Sequence, residues 1–229
     1  MKTESIKKLN FIYLRSEDEI IKKTVQEILR IEENRASGKF DYYKYTCTEP
    51  LRMTLMGVYH DNGFKVASNL HILIAIKDEY NPELEGRILM KDGELLDEDA
   101  KYPNWKSVIP DLESRKFPKM CEVVKIDFDK WAELYKGYKV DKKLKIEKYI
   151  VKVGNAYYGV ELFNLLVAAL KKIGKDELTN IWNIDGVKRG LEIVEELRPA
   201  AGIAKSNDDS IVLLMPRRFE EGHDECYIL

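Results

Sequence analysis

Residues 102–110 have the sequence YPNWKSVIP and lie close to the middle of the 229-residue chain. Pro103 and Pro110, followed by Pro118, fix the backbone φ angle and remove hydrogen-bond donors at short intervals. This spacing is typical of an extended connection and unlike the interior of a helix or a central strand. We therefore predict that the segment divides the chain into two structural units, residues 1–110 and 119–229.

A strand followed by a helix is predicted at the start of both units. Residues 11–14 are apolar, and Ser16 with the three acidic residues after it is typical of a helix start. The helical stripe of apolar residues that follows ends near Gly38. In the second unit, residues 123–128 predict a strand and residues 129–138 a short helix. The repeated opening suggests a duplicated unit, although many α+β proteins share it.

The rest of the first unit is predicted as strands and loops. Residues 51–60 and 64–76 are rich in apolar residues and predict two strands, joined at residues 61–63 by Asp-Asn-Gly, a strong hairpin-turn signal. Residues 77–104 are polar and acidic, and they predict loops with a minor hairpin.

The rest of the second unit centres on a long apolar helix. Residues 161–173 predict that helix, and Gly174 ends it. Four further strands are predicted, around residues 144–150 and at residues 178–184, 191–195 and 211–215. We therefore expect an α+β fold.

The composition predicts a packed core under a charged surface, since 45% of residues are hydrophobic and 34% are charged. A net charge of −2 excludes a polycationic nucleic-acid binder but allows a local basic surface. No apolar run approaches the ~18 residues of a membrane span, and residues 1–10 lack the apolar core of a secretory signal. The chain has an odd number of cysteines, and they are widely spaced: Cys47, Cys121 and Cys226. This pattern predicts reduced thiols in a cytoplasmic protein.

The residues that enzymes and metal sites require are scarce. The chain has three histidines and lacks the HExxH, GxSxG, P-loop and GxGxxG motifs. His223 and Cys226 lie within four positions beside two acidic residues, which we interpret as a solvated acidic end and not a metal site. We therefore predict a binding or scaffold protein that is not an enzyme and uses no metal or organic cofactor.

Three segments in order resemble the bacterial sliding clamp, the beta subunit of DNA polymerase III. Residues 64–73 (FKVASNLHIL) resemble the clamp strand that carries VATDGHRL, and residues 102–110 resemble its linker FPDYRxVLP. Residues 213–218 (LLMPRR) resemble the terminal strand VVMPMRL. The resemblance covers most of residues 51–219 and is most specific in the linker. It implies a DNA clamp fold with two clamp-like domains, each with helices on one face of an antiparallel sheet.

The chain also departs from the clamp pattern. The glycine and arginine of Asp-Gly-His-Arg are replaced by Leu70 and Ile72. The polar residues 77–101 stand where bacterial clamps have a further helix and several strands, so there is room for two domains where those clamps have three. Residues 219–229 extend past the usual end of the family. The chain therefore resembles a shortened, divergent member.

The resemblance implies two binding surfaces. One is an apolar pocket for short peptides of DNA polymerase or its clamp loader, in which adaptable Met and rigid Pro side chains suit apolar anchors. By position it comprises Ser68, Leu70, His71, Ile72, Pro103, Ser107, Val108, Leu213, Met215 and Pro216. The other is a basic helical face that contacts double-stranded DNA through its phosphates, without base recognition. Its members are Lys22, Lys23, Arg30, Lys171, Lys172 and Lys175.

Each residue also has an ordinary structural explanation. Val108, Leu213 and Met215 are equally typical of a core, Leu70 and Ile72 could fill the pocket, and lysines at a helix end complement its dipole. Two functions stay open: a sliding-clamp processivity factor in DNA replication or repair, or a clamp-like interaction protein that binds replication partners without forming a ring. A ring of six domains requires three such chains. Because the first domain is shortened, we expect a monomer or weak dimer in dilute solution.

Overall fold

The structure is a computed structural model that describes residues 40–110, 119–143, 150–189, 192–217 and 227–229, together with residues 21, 22 and 25. At residues 119, 183–189 and 192–199 it describes the backbone alone. The strand predicted at residues 11–14, the helix start at Ser16, the connection at 111–118 and most of the tail after residue 217 lie outside these ranges.

The described residues form eleven strands, two α-helices and four short 3₁₀-helices. The strands are β1 (Val58–Asp61), β2 (Phe64–Ser68), β3 (Ile72–Lys77), β4 (Ile88–Leu89), β5 (Lys119–Lys125), β6 (Ile150–Val153), β7 (Ala156–Gly159), β8 (Glu177–Arg189), β9 (Glu192–Lys205), β10 (Ile211–Leu214) and β11 (Tyr227–Ile228). The α-helices are α1 (Phe128–Lys143) and α2 (Val160–Lys172), and the 3₁₀-helices span Tyr42–Tyr45, Pro50–Leu55, Pro82–Leu84 and Trp105–Val108. The expected α+β class is confirmed.

Eight strands form one antiparallel sheet in the order β4-β1-β2-β3-β10-β9-β8-β5. Its two halves are joined where β3 pairs with β10, with Ile72 opposite Leu214 and Ala75 opposite Ile211. The predicted units 1–110 and 119–229 therefore share one sheet, and their division into separate domains stays a prediction. A smaller sheet has the order β11-β6-β7, with β11 parallel to β6.

Alternate side chains of the large sheet enter two hydrophobic clusters. The larger cluster contains Ile74, Val212 and Leu214 of the sheet, packed with the buried residues of α1, α2 and the small sheet. The smaller cluster contains Leu73 and Leu213 together with other sheet residues that alternate along the strands with those of the larger cluster. Trp105 covers it. The period-2 alternation along β3 and β10 sends neighbouring residues to opposite faces. The helices therefore cover one face, and the segment around Trp105 covers the other.

Both predicted helices of the second half are confirmed. Helix α2 begins at Val160 and its C-cap is Ile173, within one residue of the predicted bounds at each end, and Gly174 then adopts a positive φ of 66°. Helix α1 extends to Lys143, five residues beyond the predicted end. The turn at residues 61–63 is also confirmed, because Asn62 and Gly63 both have positive φ.

Two strand predictions in the first half are wrong in part. Residues 50–55 form a 3₁₀-helix with Pro50 at its first position, and only residues 58–61 of the predicted 51–60 strand pair as β1. Proline supplies no amide hydrogen to a sheet and favours the first turn of a helix. The predicted 64–76 strand is interrupted at residues 69–71, where a turn separates β2 from β3. Residues 77–104 contain the expected loops, with the bridge Leu89–Leu95 as the minor hairpin.

Candidate binding groove

An apolar cavity of about 660 Å³ lies on the sheet face covered by Trp105. Three segments far apart in sequence form its walls: the β2–β3 turn, residues 102–110, and the end of β10 with Met215. Its lining residues are Leu55, Ser68, Leu70, His71, Ile72, Leu73, Tyr102, Pro103, Asn104, Trp105, Val108, Pro110, Ala200, Ala201, Leu213 and Met215. We call this cavity the groove.

Eight of the ten residues predicted for a peptide pocket line the groove. They are Ser68, Leu70, His71, Ile72, Pro103, Val108, Leu213 and Met215. Ser107 and Pro216 are not in the lining: Ser107 donates its hydroxyl to the Asn104 carbonyl, and Pro216 follows the lining residue Met215. The three segments that suggested the family are therefore neighbours in space.

The β2–β3 turn is fixed by hydrogen bonds from two polar side chains. The Ser68 hydroxyl accepts from the Leu70 amide at 3.1 Å and donates to the Ile72 carbonyl at 3.0 Å. The Asn69 side-chain oxygen accepts from the amides of His71 and Ile72. These bonds close a tight turn in which Leu70 has a φ of 75°, a left-handed conformation that side chains other than glycine seldom adopt. The turn leaves the Leu70 side chain 45% exposed at the groove.

The wall at residues 102–108 is attached to the β1–β2 turn through Asp61. Trp105 donates its indole N–H to Asp61 Oδ2 at 2.8 Å, and the Lys106 ammonium lies 3.0 Å from the same oxygen. Burial raises the pKa of Asp61, but the hydrogen bonds from Lys106, Trp105 and Asn62 outweigh it and hold the pKa below its ordinary value. Asp61 is therefore ionised at neutral pH and keeps this wall in place.

The third wall is tied directly to the first. The Met215 amide donates to the His71 carbonyl at 2.8 Å, which extends the β3–β10 pairing by one step. The Met215 side chain is 44% exposed. Leu70, Val108 and Met215 are thus partly exposed apolar side chains, one from each wall.

The lining of the groove is mostly apolar. Among the described residues that line it, His71 and Tyr102 are the only ones with titratable side chains, and burial raises the pKa of Tyr102, which stays neutral. The Tyr102 ring stacks on Tyr59 with centroids 4.9 Å apart, and its hydroxyl has no hydrogen-bond partner in the described part of the chain. An apolar cavity of this kind accepts apolar side chains of a ligand.

The sequence prediction missed several lining residues. Tyr102 and Trp105 lie inside the linker-like segment and could have been included from it. Ala200 and Ala201 of β9 carry no motif, and the β9–β10 pairing alone brings them to the groove.

The predicted DNA-facing residues are only partly described. Lys171 and Lys172 are exposed in the last turn of α2, and Lys175 is half-buried just beyond it. The Lys171 ammonium lies 4.9 Å from the centre of the Phe128 ring. Lys22 lies in a helical stretch and is half-buried, whereas Lys23 and Arg30 lie outside the described residues. The lysines of α2 therefore form a small exposed cationic group at one helix end.

Within the described residues, no group of three or more His, Cys, Asp or Glu side chains is arranged to hold a metal ion. The described part also has no helix with the length and apolar character to span a membrane. Comparison of the chain with protein-family models, curated proteins and solved structures found no match.

Proposed function

We propose that this protein is a non-enzymatic, sliding-clamp-like factor of DNA replication or repair with a DNA clamp fold. The groove binds short peptides of a polymerase or clamp loader, and the basic helix ends contact duplex DNA. One observation carries the proposal: the three clamp-like segments, separated by long stretches of chain, line one apolar groove. A coincidental sequence likeness gives no reason for these segments to meet.

The conformation of Leu70 supports the same proposal. The clamp pattern has a glycine at this position, and glycine is the residue that enters the left-handed region without steric cost. Here a leucine stands at this position, and its φ is 75°. The turn geometry that would require the family's glycine is therefore present in a chain that lacks it.

The charge distribution is consistent with a clamp that holds DNA through its phosphates. The net charge is −2, yet Lys171 and Lys172 are exposed together on α2. Contacts of this kind are independent of base sequence and weaken steeply with salt. We therefore expect DNA binding to be non-specific and lost at moderate ionic strength.

The second candidate is a clamp-like interaction protein that does not encircle DNA. A ring built by pairing sheet edges needs a usable strand at both ends of each sheet. At one end of the large sheet lies the seven-residue β5, but at the other lies β4, which has two residues. So short an edge supports little edge-to-edge pairing, which favours this candidate.

Peptide titration tests the groove. A labelled peptide from the clamp-binding segment of a bacterial replicative polymerase is titrated against the protein and followed by fluorescence anisotropy. We expect Met215→Ala to weaken binding about thirtyfold, as for loss of a ~2 kcal/mol anchor, and His71→Ala to weaken it as well. The matched control is Met120→Ala on β5, which is 38% exposed and outside the groove.

The control variant should bind like the parent protein. Equal affinity of the Met215→Ala and Met120→Ala variants, or no binding by the parent, refutes the groove assignment. Light scattering then separates the two candidates. A stable mass near three times 26.7 kDa indicates a ring of three chains, and a monomer or weak dimer indicates the non-encircling protein.

A further inference from the structure

A second cavity, of about 400 Å³, shares no lining residue with the groove. It lies between the first 3₁₀-helix, strands β1, β2 and β4, and the loop after β3. It is lined by Tyr42, Tyr43, Val58, His60, Lys65, Glu79, Tyr80, Asn81, Pro82, Leu84 and Leu89. Aromatic rings and charged groups thus share one small space, and the proposed function makes no use of it.

His60 is the buried polar residue of this cavity. The residue is only 7% exposed, and its side chain lines the cavity. The backbone fixes its position, because the His60 amide donates to the Arg87 carbonyl and its carbonyl accepts from the Gly86 amide. Burial, followed by the Lys65 charge, lowers its pKa, so at neutral pH the ring is uncharged and one of its nitrogens can accept a hydrogen bond.

The charges around the cavity do not balance. The Lys65 ammonium lies 3.2 Å from Asp78 Oδ2, and the Tyr42 hydroxyl donates to the same oxygen at 2.8 Å. This pairing uses Lys65, the only lysine or arginine among the described residues that line the cavity. The Glu79 carboxylate is exposed at the cavity and has no cationic partner among the described residues. The cavity therefore has an excess of negative charge, which disfavours a phosphate or carboxylate ligand.

The tyrosine rings add a preference for cations. A cation held over an aromatic face is attracted to the electrons of the ring. The Lys65 ammonium already lies 5.5 Å from the centre of the Tyr42 ring, and Tyr80 presents a side chain that is 57% exposed. A planar guanidinium can pair with a carboxylate, stack on a tyrosine ring and donate a further hydrogen bond at once.

We propose that this second cavity binds the arginine side chain of a partner protein. The guanidinium pairs with Glu79, stacks on Tyr80 and donates a hydrogen bond to the unprotonated ring nitrogen of His60. The site is independent of the groove and of the proposed function.

The test uses N-acetyl-arginine amide as the ligand and N-acetyl-citrulline amide, its uncharged isostere, as the control. Binding is followed on the full chain by ¹H–¹⁵N correlation spectra. We expect saturable shifts around Glu79 and Tyr80 with a dissociation constant of about 1 mM, as for other small ligands, and none with citrulline. Glu79→Gln should weaken binding about two- to fivefold, a typical effect of losing one exposed ion pair.

The matched variant is Glu83→Gln, an exposed carboxylate on the neighbouring 3₁₀-helix that does not line the cavity. It should bind like the parent. Equal binding of the citrulline compound, unchanged affinity in Glu79→Gln, or equal losses in both variants overturns the proposal. Tighter binding of free L-arginine than of the blocked amide overturns the assignment to a partner's side chain.

Discussion

The left-handed backbone at Leu70 should make a glycine substitution more stable than an alanine substitution, the reverse of the usual order. At most positions alanine is more stable than glycine by about 0.5–1 kcal/mol, because glycine loses more freedom on folding. At a φ of 75° a Cβ atom costs about 1–2 kcal/mol, and only glycine avoids this cost. We therefore expect Leu70→Gly to be about 1 kcal/mol more stable than Leu70→Ala.

The stability of each variant relative to the parent depends also on how much of the Leu70 side chain is buried. Leu70 is 45% exposed, so about half of its side chain is removed from water, which contributes about 1 kcal/mol. Leu70→Ala loses that contribution and keeps the strain, so it should be about 1 kcal/mol less stable than the parent. In Leu70→Gly the released strain offsets the lost burial, and its stability should lie within about 1 kcal/mol of the parent.

Urea denaturation followed by circular dichroism measures both free energies of unfolding. The control pair is His71→Gly and His71→Ala, at an exposed neighbour whose φ is negative, where alanine should be the more stable residue. Both Leu70 variants lose the same groove side chain and should bind peptide equally weakly. If Leu70→Ala is as stable as Leu70→Gly, the reasoning from backbone strain fails.

Three further predictions concern the hydrogen-bonded core. Asp61→Asn should lower the free energy of unfolding by about 1–2 kcal/mol at pH 7. Because the folded-state pKa of Asp61 is lowered, the stabilisation by its carboxylate is complete above about pH 4 and is lost as the pH falls through the folded-state pKa. The stabilities of parent and variant should therefore converge in an acid denaturation series. Gly202→Ala should lower the free energy of unfolding by about 2 kcal/mol or more, since the Cβ of the alanine would overlap the Tyr158 hydroxyl. Adding Tyr158→Phe should restore part of this free energy, as measured by urea denaturation. Burial and the Glu161 carboxylate raise the pKa of Tyr135 to about 12, and Glu161→Gln should lower it toward the ordinary value of about 10 in a spectrophotometric titration.

Local signals account for what the sequence could predict. The turn at Asn62 and Gly63 needs two residues that tolerate positive φ, and both are adjacent in sequence. Helix α2 was predicted within one residue at each end because its apolar pattern and Gly174 are local as well. The eight groove residues were predicted from the resemblance of three short segments to the sliding clamp.

Interactions between distant residues account for what the sequence could not predict. Ala201 enters the groove only because β9 pairs with β10. The cavity around His60 is formed by Tyr42 and by the loop after β3, and no periodic pattern links these segments. Each of these features is a property of the assembled sheet.

The pairing of β3 with β10 has a consequence for synthesis on the ribosome. β3 is translated well before its partner β10, because a long stretch of chain separates the two strands. At about 5–20 residues per second, the nascent chain waits on the order of 10 s with this apolar edge unpaired. During that interval the centre of the sheet is open to association with other chains. The strands up to β3 therefore depend most on chaperones until β10 has been translated.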